Sequence, residues 1–302
     1  MNARVGNSAL IRAMPVVFVL IWSTGFIVAR YGMPHSPPFK FLLMRYALSI
    51  LCFLPWIAFS HVKWPVTRNQ WLHLAVTGVL MHAGYLGGVW AAVKAGMGSG
   101  LSALIVGIQP VLTAVWLSAM NKSGSGVQVT RQQWAGLLLG FAGLFLVVSR
   151  KFVQGGPGDF ANGLNLAFAL IALVSITVGT LYQKRFVTPC DVRTANTVQL
   201  GAAFVVTLPL ALLEAESMRW NGELAGAMAW SVLGLTLGGS SLLYMLIQRG
   251  AAASVASLMY LVPPTTALIA WVLFSEPVSV ATLIGTLLTA LGVSLVVRSA
   301  KS

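Results

Sequence analysis

The stretch GYLGGVWAAVKAGMGSGLSALIVGIQP, residues 84–110, predicts the end of one membrane helix, a turn at 94–98 and the start of the next helix. Two glycines and the proline of this stretch recur 154 positions later. Gly84, Gly96 and Pro110 correspond to Gly238, Gly250 and Pro264. Without a gap, the same shift takes Arg45 to Gln199 and Trp90 to Tyr244. The chain is therefore predicted to contain an internal repeat that includes this hairpin.

The composition excludes an ordinary soluble domain. Of the 302 residues, 57% are hydrophobic and only 8% are charged, whereas soluble domains carry about 25% charged residues. The mean hydropathy is +0.84. Apolar runs of about 20 residues, the length that spans a bilayer as a helix, recur along the whole chain. An all-α polytopic membrane protein is predicted.

The net charge of +13 does not indicate a nucleic-acid-binding protein. The basic residues are scattered in short connections between apolar runs, which is typical of membrane topology signals and not of one basic surface. Two cysteines, Cys52 and Cys190, and four histidines lack the spacing of a disulfide or metal framework. Nucleotide-binding loops and nucleophile–base pairs are also missing, so we expect no metal, cofactor, ATP, nucleic acid or enzymatic activity.

Ten apolar runs are predicted to form membrane-spanning helices. They lie at about 11–29, 38–59, 70–93, 99–120, 133–149, 161–183, 193–213, 226–247, 252–274 and 278–297. We assign residues 1–150 to a first five-helix repeat and residues 151–302 to a second. Because five is odd, the second repeat must enter the membrane in the opposite sense. Inverted repeats are a common design of secondary transporters.

Charge placement predicts the orientation. Twelve Lys and Arg residues fall in the loops on the side of the N-terminus and six in the loops on the other side. The positive-inside rule therefore places both termini in the cytoplasm.

Three segments resemble the drug/metabolite transporter superfamily, in particular the EamA-type ten-helix transporters. They are IWSTGFIVARYG at 21–32, FLLMRY at 41–46 and FSEPVSVATLIGTLLTALGVSLVV at 274–297. The first repeat departs from the pattern, since the counterpart of Glu276 lies in the neutral turn NKSGSG, residues 121–126. The resemblance implies metabolite export without ATP hydrolysis, through a cavity formed by the first, third, fourth, sixth, eighth and ninth helices. Within this superfamily, the sequence looks most like bacterial amino-acid exporters, including exporters of aromatic amino acids.

Polar and aromatic residues inside the predicted spans are the candidates for substrate binding, since polar groups in a bilayer usually face a cavity or a partner helix. The alternative for each of them is ordinary helix packing. His82 lies in the middle of the third span, and its repeat counterpart is Thr236. The candidate set is Trp22, Thr24, His82, Tyr85, Trp90, Gln109, Ser175, Tyr244 and Tyr260.

Three further residues are assigned other roles. Arg45 remains charged inside the second span; it could bind a carboxylate, but a structural role near the helix end is favoured. Pro110 and Pro264 each free a backbone carbonyl and could act as gating pivots or as static kinks.

The charge content also bears on the mechanism. Asp and Glu are missing from the deep part of every span, and buried carboxylates are the usual proton relays of coupled transporters. The expectation is a bacterial inner-membrane facilitator that exports small metabolites, most of all amino acids, by alternating access. The rival interpretations are efflux of organic cations and a non-transporting membrane scaffold.

Overall fold

The structure is a computed structural model. It describes residues 2–60, 62–97, 102, 105–120, 129–153, 163–249, 252–274 and 280–299. The turn at 121–126 and the acidic turn at Glu276 lie outside these residues.

The described residues form ten helical segments, one for each predicted span, and among them no strand occurs. We number them α1 (Asn2–Ser23 and Gly25–Gly32), α2 (Pro38–Phe59), α3 (Arg68–Lys94), α4 (Gln109–Met120), α5 (Arg131–Val153), α6 (Gly163–Phe186), α7 (Val192–Leu213), α8 (Gly222–Arg249), α9 (Ala252–Ser257, Leu258–Leu261 and Val262–Phe274) and α10 (Val280–Ser299). Five of them, α2, α3, α6, α7 and α8, are long and apolar enough to cross a membrane. The chain is an all-α membrane protein.

The bounds differ from the predicted ones mainly at two places. Helix α1 begins at Asn2 instead of residue 11, and α5 continues to Val153, into the segment expected to link the halves. The predicted turn after α3 is confirmed for its described part. Gly96 adopts a φ of 91°, a value that favours glycine, and the amides of Gly96 and Met97 bond to the carbonyls of Val93 and Ala92.

Equivalent helices of the two halves pack against each other at the centre. Helix α2 packs along α7, and α5 packs along α10. Glycines allow the second contact: a Cβ on Gly136 would lie 2.6 Å from the Gly292 carbonyl oxygen, and one on Gly143 would lie 2.6 Å from that of Gly285. This pairing of equivalent helices is what a pseudo-two-fold axis between two inverted repeats predicts.

Irregular backbone occurs at equivalent places in the two halves. Helix α3 has a π-helical stretch at Val79–Leu86, and α8 has one at Ser231–Ser240, which contains the repeat equivalent 233–240. The helices that follow α3 and α8 are also irregular. The helical hydrogen-bonding pattern is interrupted by a turn at Gly107 and Ile108 before α4, and α9 contains a 3-10 turn at Leu258–Leu261. π-helical turns often occur at functional sites.

Candidate substrate cleft

A cleft lies between the halves. It is lined by Trp22, Gly25, Met33, Arg45, Tyr85, Leu86, Val89, Trp90, Val93, Ser102, Val106, Gly107, Leu235, Met259 and Val262. Five of the six helices that were expected to form the cavity contribute lining residues: α1, α3, α4, α8 and α9. For α4 these residues, Ser102, Val106 and Gly107, come just before its described start at Gln109. Helix α2 lines the cleft through Arg45, while the expected α6 contributes no lining residue among those described. Since Tyr85–Val93 are near the end of α3 and Arg45 is near the start of α2, the cleft occupies the half of the bundle in which α1 and α3 end.

Aromatic rings form one wall of the cleft. The rings of Trp22 on α1 and Tyr85 on α3 are nearly parallel, with centroids 6.4 Å apart and an interplanar angle of 6°. Phe18 supports Trp22 at 5.2 Å, and Phe41 packs against Trp90 at 4.8 Å. Stacked rings of this kind present a large, rigid apolar surface with few rotatable bonds. The wall therefore suits a flat or bulky apolar group.

Two equivalent polar pairs cross the centre between the halves. The Arg45 Nε of α2 donates to the Thr236 Oγ1 of α8 at 2.8 Å. In the equivalent place, the side chain of Gln199 on α7 lies next to that of His82 on α3. Gln199 is the repeat counterpart of Arg45, and Thr236 is that of His82. Each pair thus joins the second helix of one half to the third helix of the other, as the pseudo-two-fold axis predicts.

The π-helical stretches of α3 and α8 position these pairs. The side-chain hydroxyl of Thr236 donates to the Ser231 carbonyl five residues earlier, at 2.9 Å, which is the π-helical spacing. In the other half, the Tyr46 hydroxyl donates to the His82 carbonyl at 2.9 Å. Local widening of a helix frees carbonyl groups for such partners.

Three of the nine candidate binding residues, Trp22, Tyr85 and Trp90, line the cleft. His82 is buried behind the wall, with 5% of its surface exposed, against Tyr46 and Gln199. Thr24 sits at the break in α1, where its hydroxyl donates to the Ile21 carbonyl and accepts from the Trp230 Nε1. His82 and Thr24 thus lie next to the cleft without lining it.

The other four candidates lie in packed regions. Ser175 contacts Gly84, where a Cβ would collide with its hydroxyl. The Gln109 Nε2 donates to the Thr180 Oγ1 at 3.4 Å. Tyr260 is fully buried against Gly140. The fourth, Tyr244, belongs to the second cluster described below.

Pro110 and Pro264, the two residues predicted to act as gating pivots, lie at the start of helical segments. Pro110 is buried in the first turn of α4, and Pro264 is buried in the first turn of the segment Val262–Phe274. Both follow a break in the helix, where a missing amide costs no hydrogen bond. Their role as pivots stays a prediction.

Several residues that line the cleft were not among the predicted site residues. Met33, Leu235, Met259 and Val262 are apolar, and nothing in their sequence context distinguishes them from core residues. Arg45 was assigned to structure, although its charge inside a span was the available signal. The structure places its side chain on the cleft wall. Within the described chain, no group of three His, Cys, Asp or Glu could hold a metal ion.

At the end of the bundle opposite to the cleft, the helices are packed together by an apolar cluster that we call the inner cluster. Its core is Leu74, Val187, Ala195, Val198 and Tyr244, with Cys190 packed against it. The Tyr244 hydroxyl and the Cys190 Sγ hydrogen-bond at 3.3 Å. Neighbouring contacts join the same ends of the helices, such as the bond at 2.7 Å between the His73 Nδ1 and the Tyr182 hydroxyl.

The ten described helical segments, with a cleft between the two halves, are the architecture of a polytopic membrane protein. The chain belongs to the EamA-like transporter family, whose sequence profile matches residues 11–149 and 164–298, one match in each half. The family consists of transporters and not of enzymes.

Several curated relatives are transporters. An uncharacterized transporter of Archaeoglobus fulgidus is 24% identical over 282 residues, which cover 92% of this chain and 93% of that protein. The uncharacterized inner membrane transporter YedA of Escherichia coli K12 is 25% identical, over 72% of this chain and 66% of its own length. A protein of Salmonella typhimurium named "Probable amino-acid metabolite efflux pump" is 24% identical, over 66% and 62%.

The fold also matches a solved structure. A crystal structure with 17% sequence identity superposes with a TM-score of 0.76 and covers 96% of this chain and 98% of its own. At this identity the likeness concerns the fold alone.

Proposed function

We propose that the protein exports amino acids, including aromatic ones, across the bacterial inner membrane. The observation that carries the proposal is the cleft between the halves, whose Trp22, Tyr85 and Trp90 rings suit an aromatic or bulky apolar side chain. The Escherichia coli relative is named an inner membrane transporter and the Salmonella typhimurium relative a probable amino-acid metabolite efflux pump, which supports the proposed membrane and substrate class. Residues 1–150 and 151–302 act as two inverted repeats around this site.

The proposed mechanism is alternating access. With both termini in the cytoplasm, the cleft faces the periplasmic side and the inner cluster closes the cytoplasmic side. Exchange of the two conformations between the repeats would close the cleft and open the region of the inner cluster. Pro110 and Pro264, next to the helix breaks, are the proposed pivots.

The proposed energetics are those of a facilitator driven by the substrate gradient. Among the described residues that line the cleft, none is a carboxylate or a histidine. The His82 side chain is buried behind the aromatic wall, against the Tyr46 ring. The described lining of the cleft therefore offers no carboxylate or histidine to a proton relay.

Counterflow into proteoliposomes tests this proposal. Purified protein is reconstituted with unlabelled amino acid inside, and uptake of labelled phenylalanine, leucine, threonine and lysine is measured with and without a pH gradient. We expect uptake of phenylalanine without the gradient. Uptake that requires the gradient contradicts the facilitator mechanism, and uptake of organic cations alone favours the rival efflux function.

Matched tryptophan variants show whether the flux passes through the cleft. Trp90→Ala removes a ring from the wall, whereas Trp116→Ala removes one that is half exposed on the outside of α4. We expect flux to fall about tenfold or more only in Trp90→Ala, since an aromatic contact and its buried area exceed about 1.4 kcal/mol. Equal flux in both variants would favour a scaffold or a different path.

A further inference from the structure

Arg45 carries a buried positive charge that has no counter-ion among the described residues. Only 2% of its surface is exposed, and its single hydrogen bond within the described chain runs from Nε to the Thr236 hydroxyl. The two terminal nitrogens bond to no described residue, and the side chain lines the cleft. A buried charge is costly unless a partner compensates it.

The acidic residues of the described chain are engaged elsewhere. Asp191 pairs with Arg193, Glu216 with Lys94 and Glu223 with His35. Glu214 accepts from the amides of Phe39 and Lys40 at the start of α2. The described carboxylates therefore leave the Arg45 guanidinium unpaired.

The fold does not require a charge at this position. Gln199, the repeat equivalent of Arg45, is also buried and lies next to His82 in the equivalent cross-contact. A neutral side chain of intermediate length thus fills the same place on the closed side. The charge occurs only in the half of the bundle that contains the cleft.

We infer that Arg45 is the anion anchor of the cleft and binds the carboxylate of the transported molecule through its two terminal nitrogens, with the apolar part of that molecule against Trp22 and Tyr85. The guanidinium fork matches a carboxylate in a two-bond arrangement, and such charge-assisted bonds are the strong ones. Thr236 is a positioning residue, because its hydroxyl accepts the hydrogen bond from the Arg45 Nε and so orients the guanidinium. This inference rests on the proposed function and names the recognised group.

The cleft selects for the carboxylate and not for an ammonium group. No carboxylate among its described lining residues could pair with an ammonium. A carboxylic acid with an aromatic body but no amino group should therefore bind about as well as the amino acid, whereas an amine or an amide with the same body should not. The ligand class is aromatic or bulky apolar carboxylates, amino acids among them.

The test compares the wild type with Arg45→Gln, which places the residue of the equivalent position at 45. Thermal stabilisation of the purified, full-length protein is titrated with L-phenylalanine, 3-phenylpropanoate, phenethylamine and L-phenylalaninamide. We expect both carboxylates to stabilise the wild type at similar concentrations and the other two compounds to have little effect. Arg45→Gln should remain folded by size-exclusion chromatography and bind the carboxylates at least about tenfold more weakly.

Two further variants sharpen the assignment. Arg45→Lys keeps the charge but loses the fork, so its carboxylate affinity should lie between those of the wild type and Arg45→Gln. Thr236→Val keeps the guanidinium but frees its Nε, and a loss of about two- to tenfold is expected. If Arg45→Gln does not fold, the rank of the four compounds on wild type and Arg45→Lys decides the question.

The outcomes separate this inference from the proposed function. If phenylalanine is transported and Arg45→Gln binds it like the wild type, the anchor is wrong and the function stands. If counterflow of every amino acid fails but 3-phenylpropanoate stabilises in an Arg45-dependent way, the function is wrong and the anchor stands. Equal stabilisation by the amine, or no stabilisation by either carboxylate, overturns the anchor.

Discussion

Trp90 and Tyr244 occupy equivalent positions in the two repeats, yet their surroundings are opposite. Trp90 lines an open cleft, whereas Tyr244 is packed in the inner cluster with its hydroxyl against Cys190. The helix contacts differ in the same sense, since α3 packs along α7 more extensively than α8 packs along α2. Equivalent helices of the two repeats thus pack closely on the inner-cluster side and leave an open cleft on the other.

A glycine explains the closeness of the closed side. Gly78 of α3 lies where a Cβ would collide with the Gln199 backbone of α7. The repeat equivalent of Gly78 on the cleft side is Val232 of α8, a larger residue. The absence of a side chain at 78 therefore permits a helix approach that the open half does not make.

The largest effect is expected from Gly78→Ala, which should prevent α3 from closing on α7. Forcing a methyl group into packed backbone costs about 1–3 kcal/mol or more. Since the obstructed contact closes one side of the site, counterflow should fall at least about tenfold. Gly201→Ala on α7 is the control, because nothing lies within 4 Å of its Cβ. Wild-type flux in Gly78→Ala would show that the tight contact is not needed for transport.

Tyr244→Ala should loosen the inner cluster and expose Cys190. The variant removes the ring and the hydrogen bond at 3.3 Å, so alkylation of Cys190 by a maleimide should accelerate about tenfold or more. The measurement uses a Cys52→Ser background, since Cys52 is exposed. Trp90→Ala, the equivalent change in the open half, should leave the Cys190 rate unchanged. Equal acceleration in both variants would remove the distinction between the two regions.

Tyr244→Phe isolates the hydrogen bond from the packing. The ring remains and only the contact with the thiol is lost, which is worth about 1 kcal/mol. Alkylation of Cys190 should therefore rise by about fivefold or less, and always by less than in Tyr244→Ala. A larger rise in Tyr244→Phe would show that the hydroxyl, and not the apolar cluster, holds this side closed.

The smallest effect concerns the pH dependence of the same reaction. Burial, and after it the negative charge of Asp191, raises the pKa of the Cys190 thiol above its usual range. Because the thiolate is the reacting form, the alkylation rate should keep rising with pH beyond about 8.5, the pKa of an ordinary thiol. The unfolded protein supplies the reference curve. A folded-state curve that levels off at the same pH would contradict the burial of this thiol.

The sequence predicted the helices better than the site. Apolar runs give the ten spans because a bilayer demands them, and the shift of 154 residues relates the π-helical stretches once these are known. The π-helical pattern itself depends on contacts between helices, such as that of Tyr46 with the His82 carbonyl, and no local signal announces it. The position of the Arg45 side chain on the cleft wall has no local signal for the same reason, since its partner Thr236 belongs to the other half.

Repeat symmetry also limits what sequence can predict about the cleft. Trp90 and Tyr244 were both candidates because they are equivalent aromatic residues in equivalent helices. Only the three-dimensional arrangement distinguishes the one at an open cleft from the one in a closed cluster. In the proposed mechanism these two environments exchange during each cycle.

The exchange of environments is tested most directly by distances across the two sides. Spin labels at Lys94 and Gly222, both exposed and at the cleft-side ends of α3 and α8, span the cleft side. Labels at Asn69 and Arg249, both exposed and at the opposite ends of the same two helices, span the inner-cluster side. Pulsed electron paramagnetic resonance is recorded on the cysteine-free background with and without saturating L-phenylalanine and 3-phenylpropanoate. We predict that the populations change in opposite directions, so that the first distance shortens where the second lengthens. Distances that both stay constant, or that change in the same direction, would contradict alternating access between the two halves.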